Sequence, residues 1–212
     1  MVAASPSTCD PERSTRCRQA ARGSLCRLVR LPIRQMNSLR KNHFELFGVP
    51  PRFRVNATAL EAAFRGLQAA VHPDRHAGGS AADQRVSMQM ATQVNEAYRT
   101  LRDPARRGAY LCELNGVDPG FETNTSMPTQ FLMKQIEWRE ALDEAGDQRD
   151  AQRMQLVRDE LDGEREALLE RLAKALDDDR DFDAAAADLR QLMFLDKFSG
   201  EIDNAQDRVL EA

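Results

Sequence analysis

The chain has 212 residues, a length that suits two small domains, and its 42% apolar and 30% charged residues are typical of a globular protein. It contains no apolar run long enough to span a membrane. Three of its four cysteines lie before residue 27 at spacings of eight and nine, which match no zinc-binding pattern of close pairs. The scarcity of cysteine after them fits a reducing compartment.

Residues 1–41 form a basic segment. They hold nine Lys or Arg against Asp10 and Glu12, a balance of +7, so the remaining residues must carry −11 to give the net charge of −4. We expect a disordered extension, and its arginine-rich composition leaves open a transit peptide or a nucleic-acid-binding arm. We favour a third interpretation, in which translation begins at Met36, because that residue lies where a compact domain would start.

Apolar residues recur every three or four positions on two neighbouring stretches, at Leu60, Phe64, Leu67 and Val71 and then at Val86, Met90, Val94, Ala97 and Leu101. This period predicts one helix from Ala57 to about His72 and a second from near Ala82 to Asp103. Pro73 ends the first helix because proline has no amide hydrogen and disfavours helical geometry in the preceding residue. The sequence therefore predicts two antiparallel helices joined by an exposed polar tip.

The tip carries the tripeptide His72-Pro73-Asp74. We interpret it as a docking surface, since no nucleophile or second base accompanies it. Two alternatives remain open. His72, Asp74 and His76 alternate as two imidazoles and a carboxylate, which is a weak pattern for a metal site, and Pro73 alone is sufficient to act as helix punctuation.

The residues around the tripeptide resemble a J-domain. The matching residues are Phe64-x-x-Leu67 before it, Val94-Asn95-Glu96-Ala97-Tyr98-x-x-Leu101-x-Asp103-Pro104 after it, and an entry segment, Asn42-His43-Phe44-Glu45-Leu46-Phe47-Gly48-Val49-Pro50, similar to the first short helix of that fold. The resemblance implies a J-domain over residues 42–116. It also implies docking on an HscA- or DnaK-type ATPase chaperone, whose ATP hydrolysis it would stimulate, through His72, Pro73, Asp74, Arg75 and Arg65.

A later helix carries two apolar stripes. At 100 degrees per residue, its residues separate into Phe131, Trp138, Leu142 and Ala145 on one side and Leu132, Met133 and Ile136 on another, with Glu137 and Glu140 along the edge of the second. A helix in a three-helix bundle needs only one buried stripe. We therefore predict that the second stripe is exposed for a partner, and the alternative is a wide core face in a small bundle.

Two further helices complete an all-α fold. Their apolar positions are Val157, Leu161, Leu168, Leu172 and Ala175 in one, and Phe182, Ala185, Leu189, Leu192, Leu195, Phe198, Ile202 and Val209 in the other. The acidic run 177–181 between them is predicted to be a solvated turn and helix start, because it lacks the glycine and distal glutamate of a calcium-binding loop. The expected architecture is an N-terminal J-domain helical hairpin followed by a C-terminal three-helix bundle.

The second half of the chain resembles the HscB co-chaperones of iron-sulfur cluster assembly, through Phe131-Leu132-Met133-x-x-Ile136-Glu137-x-Arg139-Glu140-x-Leu142-Asp143-Glu144 and Leu192-Met193-Phe194-Leu195-Asp196-Lys197-Phe198. The resemblance implies a linker at 117–128 and a domain at 129–212 that binds an IscU-type iron-sulfur scaffold protein through Leu132, Met133, Ile136, Glu137, Glu140 and Phe194. It implies no catalytic residue, no cofactor, no nucleic-acid or membrane partner, and a location in the bacterial cytoplasm or, alternatively, the mitochondrial matrix. A J-domain adaptor for a different client and a metal-binding helical protein remain alternatives.

Overall fold

The computed structural model describes residues 41–71, 80–121 and 126–210. Within these ranges the chain forms seven α-helices and one π-helical segment: α1 (His43–Phe47), α2 (Ala57–Val71), α3 (Ala81–Arg102), α4 (Pro104–Leu114), α5 (Thr129–Asp147), α6 (Ala151–Ala173), the π-helical segment (Lys174–Asp179) and α7 (Phe182–Leu210). The described residues contain no strand, which confirms the predicted all-α class. None of these helices combines the length and hydrophobicity needed to cross a bilayer. The interpretations of the basic segment fall on residues 1–40, outside the described ranges.

The chain divides into two compact units. The first takes its described residues from 41–50 and 56–98, and the second from 51–55 and 99–210. Helix α4 therefore groups with the C-terminal helices. The boundaries expected from the sequence, a J-domain at 42–116, a linker at 117–128 and a scaffold-binding domain at 129–212, stay predictions about the functional domains.

Helices α2 and α3 form the antiparallel hairpin of the first unit, as predicted. In the middle of α2 and near the end of α3, the rings of Phe64 and Tyr98 stack with 3.9 Å between their centroids. At the last residue of α2, the carbonyl oxygen of Val71 accepts a hydrogen bond at 2.8 Å from Ser87, in the first third of α3. Residue numbers in these two contacts increase along α2 and decrease along α3, so the two helices are antiparallel.

The second unit contains a three-helix bundle. Cross-helix contacts fix the helix directions: Lys134–Glu164 and Trp138–Glu160 join α5 to α6, Arg165–Asp196 and Arg171–Asp188 join α6 to α7, and Phe131–Phe194 and Trp138–Phe198 join α5 to α7. Residue numbers run in opposite directions in the first two sets and in the same direction in the third. Helix α6 is therefore antiparallel to its neighbours, while α5 and α7 lie side by side and parallel.

The π-helical segment corrects one prediction. The acidic run was expected to be a solvated turn, but the Asp177 side chain is only 5% exposed. Its carboxylate accepts hydrogen bonds from the backbone N–H groups of Phe53 at 2.6 Å and Arg54 at 2.9 Å. The Asp177 carboxylate thereby accepts the hydrogen bonds that these two N–H groups would otherwise donate to water. Asp181 accepts from Ala184 N at 3.0 Å and caps α7, as its position before that helix predicted.

Helix α4 packs closely against α7. The sequence patterns predicted no separate helix after Pro104, but Asp103 caps one through Oδ1, which accepts from Arg106 N at 3.1 Å. At Gly108 an added Cβ would lie 2.6 Å from Cδ2 of Leu189, so only glycine fits this contact without displacement. Cys112, on the same helix, is fully buried, as expected of a small apolar side chain.

Candidate partner-binding surfaces

Only one of the five predicted chaperone-docking residues, Arg65, lies within the described residues. His72, Pro73, Asp74 and Arg75 lie outside the described residues. Arg65 is described: it lies on α2 with its side chain 68% exposed, and its Nη2 is 3.8 Å from Oε1 of Glu61 one turn earlier. An exposed pair of this kind contributes little to stability and leaves the guanidinium accessible to a partner.

The end of α2, directly before the tripeptide, has an anchor that sequence reasoning missed. The Ser87 side chain is 1% exposed, and its hydroxyl hydrogen bonds to the Val71 carbonyl. The last carbonyls of a helix lack intrahelical partners, so a hydroxyl from α3 satisfies one of them. A polar residue on the apolar side of α3, one position after Val86 and three before Met90, is the sequence signal that identifies it.

The two stripes of α5 separate as predicted. Phe131 and Trp138 are each 5% exposed, whereas Leu132, Met133 and Ile136 are 43%, 56% and 53% exposed. The first stripe lies in the bundle core, and no residue of the described ranges covers the second. The wide-core alternative is therefore wrong, while the assignment of the exposed stripe to a partner stays a prediction.

Phe194 on α7 contacts α5 at Phe131, directly before Leu132 in the sequence, and at Arg139, three residues after Ile136. Its half-buried ring meets Phe131 edge-on with 5.7 Å between centroids and stacks on Phe198 at 5.9 Å. Cζ of Arg139 lies 5.8 Å from its centroid. We call Leu132, Met133, Ile136 and Phe194 the α5/α7 apolar face.

Arg139 belongs to the sequence motif that begins at Phe131, but it was not predicted as a site residue. Its Nη2 is 3.7 Å from Oε2 of Glu201 on α7, and its guanidinium lies over the ring of Phe194. An arginine over an aromatic face combines a cation–π attraction with an ion pair. Its position three residues after Ile136, on the same side of α5, is the signal that links it to the face.

Acidic residues border the α5/α7 apolar face. Glu137 and Glu140 are exposed, and neither forms an ion pair with another residue of the described ranges. Glu144, one turn further on, differs: its Oε2 accepts from Arg153 Nη2 at 3.1 Å, and this hydrogen bond holds the pKa of Glu144 below its ordinary value. The two glutamates nearest the face are thus free to meet an external cation.

A metal centre finds no support among residues 41–71, 80–121 and 126–210, which contain no group of three His, Cys, Asp or Glu placed to hold an ion. The alternative built on His72, Asp74 and His76 falls outside these ranges. Burial, the largest of several effects, raises the pKa of the Cys112 thiol to about 11. Because the thiolate is the form that binds metals and reacts, Cys112 is poorly suited to metal or redox chemistry.

Comparison with family models matches most of the described chain. Residues 42–110 match the DnaJ domain, and residues 127–203 match the model described as the HSCB C-terminal oligomerisation domain. The first match includes the tripeptide and Arg65. The second includes all six predicted scaffold-binding residues.

The chain is similar over most of its length to several known proteins. A co-chaperone protein HscB homolog of Burkholderia multivorans is 47% identical over 167 residues, which cover 79% of this chain and 95% of the relative. Chaperone HscB from Vibrio cholerae is 32% identical, with a TM-score of 0.71 over 80% of this chain and 99% of that one. The crystal structure of human co-chaperone protein HscB is 28% identical, with a TM-score of 0.73 over 78% of this chain and 82% of that one.

Proposed function

Because this chain belongs to the HscB family of J-domain co-chaperones, we propose that it binds an IscU-type iron-sulfur scaffold protein and stimulates ATP hydrolysis by an HscA- or DnaK-type chaperone. In this way it assists the maturation of iron-sulfur proteins. The observation that carries the proposal is the exposed α5/α7 apolar face, in a chain that also matches the DnaJ domain. The high identity with a bacterial relative favours the bacterial cytoplasm over the mitochondrial matrix.

The chaperone contact is assigned to the tripeptide and to basic residues near it. The carboxylate of Asp74 accepts charge-assisted hydrogen bonds from an arginine of the chaperone. In this proposal Pro73 restricts the backbone of the tripeptide, and His72 supplies a hydrogen-bond donor. Arg65 and Arg75 add positive charge. ATP binds to the chaperone, so this chain performs no catalysis itself.

The scaffold contact is assigned to the α5/α7 apolar face and its acidic border. Leu132, Met133 and Ile136 are each about half exposed, so a partner that covers them removes apolar area from water. Full burial of an exposed Leu, Ile or Met side chain contributes about 1.5–3 kcal/mol, so covering these half-exposed side chains contributes roughly 1 kcal/mol each. Glu137 and Glu140 attract a basic rim on the scaffold and raise the association rate.

Steady-state ATP hydrolysis by the host's HscA-type chaperone tests the chaperone contact. We expect stimulation by this protein alone and a further, synergistic increase when the IscU-type scaffold is added. His72→Gln should abolish both effects while circular dichroism remains that of the unaltered protein. A loss of helical signal in His72→Gln would instead assign the tripeptide to helix punctuation, and an absence of stimulation by folded, unaltered protein would refute the co-chaperone assignment.

Calorimetric titration with the scaffold tests the second contact. Replacing Leu132, Met133 and Ile136 together by alanine should weaken scaffold binding by at least about a hundredfold and leave the scaffold-independent ATPase stimulation unchanged. A matched control replaces Leu114 and Leu156, which are 43% and 63% exposed on other helices. Equal weakening in the control, or a fall in scaffold-independent stimulation in the triple variant, would contradict the assignment.

A further inference from the structure

A cleft lined by four arginines lies in the second compact unit. Its volume is about 670 Å³, and it is lined by Arg99, Arg102, Asp103, Pro104, Arg106, Arg165 and Asp196. These residues come from the end of α3, the start of α4, and the facing sides of α6 and α7. We call this set the arginine cleft. It shares no residue with the α5/α7 apolar face.

The two carboxylates of the arginine cleft are already engaged within the protein. Asp196 Oδ1 lies 2.7 Å from Arg165 Nε. Asp103 caps α4 through its Oδ1 and lies 3.9 Å from Arg106 Nε through its Oδ2. Four guanidinium groups thus face two carboxylates, which leaves a local surplus of two positive charges.

That surplus is carried by Arg99 and Arg102. Both side chains are exposed in the last turn of α3, and neither forms an ion pair with another residue of the described chain. This local surplus contrasts with the net charge of −11 that the residues after 41 carry as a whole. A concave, cationic region on such a protein attracts anionic groups, whereas the acidic remainder of the surface repels them.

We propose that the arginine cleft binds an acidic segment of a protein partner, with carboxylates paired to Arg99 and Arg102. Guanidinium groups match carboxylates in a two-point geometry that lysine does not provide. This interaction goes beyond the proposed co-chaperone function and does not depend on it. It adds a charged contact of opposite sign to the acidic border of the α5/α7 apolar face.

The geometry favours a carboxylate-bearing segment over a free phosphate. Phosphates commonly bind the exposed N–H groups at a helix N-terminus, but the carboxylate of Asp103 already occupies that position on α4. Asp196 adds a second negative charge to the lining, which disfavours a compact dianion. An extended segment can place its carboxylates on Arg99 and Arg102 and keep its distance from both aspartates.

Arginine side-chain NMR on the full-length chain provides the test, because it separates the cleft from the basic segment 1–41. The Nε–H resonances of Arg99, Arg102, Arg52 and Arg208 are assigned by their Gln variants and then followed during titration with a decaglutamate peptide. We expect saturable shifts for Arg99 and Arg102 and none for Arg52 and Arg208. An equivalent titration with inorganic phosphate should leave all four unchanged.

A double variant adds a quantitative measure. The readout is the Nε–H resonance of Arg165, which lines the same cleft and is assigned by its own Gln variant. In Arg99→Gln/Arg102→Gln, the peptide concentration at half-saturation should rise by about tenfold. The charge-matched control, Arg52→Gln/Arg208→Gln, should change it by less than about twofold. Shifts confined to arginines of residues 1–41, equal losses in both double variants, or matching shifts with phosphate would each overturn the proposal.

Discussion

Replacing Asp177 with alanine should lower the free energy of unfolding of the second compact unit by about 3 kcal/mol. The side chain is 5% exposed, and its two carboxylate oxygens accept the backbone N–H groups of Phe53 and Arg54 at 2.6 and 2.9 Å. A hydrogen bond to a charged group typically contributes about 1.5–3 kcal/mol. We take the lower end of that range for each of the two hydrogen bonds. Arg54 is half exposed, so water can reach its N–H group once the carboxylate is removed.

Urea unfolding followed by tryptophan fluorescence measures this effect directly, because the single tryptophan, Trp138, lies in the same compact unit as Asp177. Asp178→Ala is the matched control. Its carboxylate is 58% exposed and pairs with Arg54 Nη1 at 3.2 Å, so its removal should cost less than about 0.5 kcal/mol. Asp177→Asn should lie between the two, because the amide retains only one acceptor.

Two outcomes would refute this reasoning. A loss below about 1 kcal/mol in Asp177→Ala would show that the two backbone donors find water as good a partner as the carboxylate. Equal losses in Asp177→Ala and Asp178→Ala would show that the charge of the acidic run, and not the buried position of one carboxylate, stabilises the fold. A change in the urea m-value would signal altered cooperativity and would require each transition to be fitted separately.

Three further predictions concern the helix contacts. Gly108→Ala should destabilise the protein by about 1–3 kcal/mol in thermal or urea unfolding, because its Cβ meets the buried Leu189; Gly163→Ala, in open space within α6, should stabilise it by about 0.5–1 kcal/mol. Ser87→Ala should cost about 1–2 kcal/mol by removing the partner of the last α2 carbonyl, and hydrogen exchange should rise at the end of α2 if this assignment is correct. The thiol pKa of Cys112 is raised from 9.0 to about 11 in the folded protein. The protonated thiol therefore stabilises the fold fully below pH 9.0, and this contribution is lost as the pH rises through 11. Over that interval the unaltered protein should lose stability relative to Cys112→Ala. Parallel pH profiles of the two proteins would contradict the last prediction.

The parts of the fold that sequence predicted well are those with a long, regular apolar period. The core positions of α2, α3, α6 and α7 follow from spacings of three and four, and the separation of two stripes on α5 follows from the same geometry. The exposure of Ile136 and the burial of Trp138, two positions apart, show how well helical phase alone assigns the faces.

The parts that sequence missed depend on tertiary contacts or on departures from α-helical geometry. Helix α4 is short, and its stability comes from packing against α7 at Gly108, which no periodicity records. The burial of Asp177 requires a π-helical segment after α6 and a backbone partner more than 120 positions earlier in the chain. The pairing of Phe194 with α5 was predicted only from a family resemblance, because two helices distant in sequence must become parallel neighbours before that ring reaches Phe131.

The parallel arrangement of α5 and α7 has a consequence for the order of events during synthesis. The α5/α7 apolar face combines residues about 60 positions apart, and α6 must turn the chain back before Phe194 can join Leu132. A nascent chain released only as far as α6 therefore presents an incomplete face. A partner that requires both helices recognises only finished molecules, and its binding in turn adds to the free energy that keeps the bundle closed.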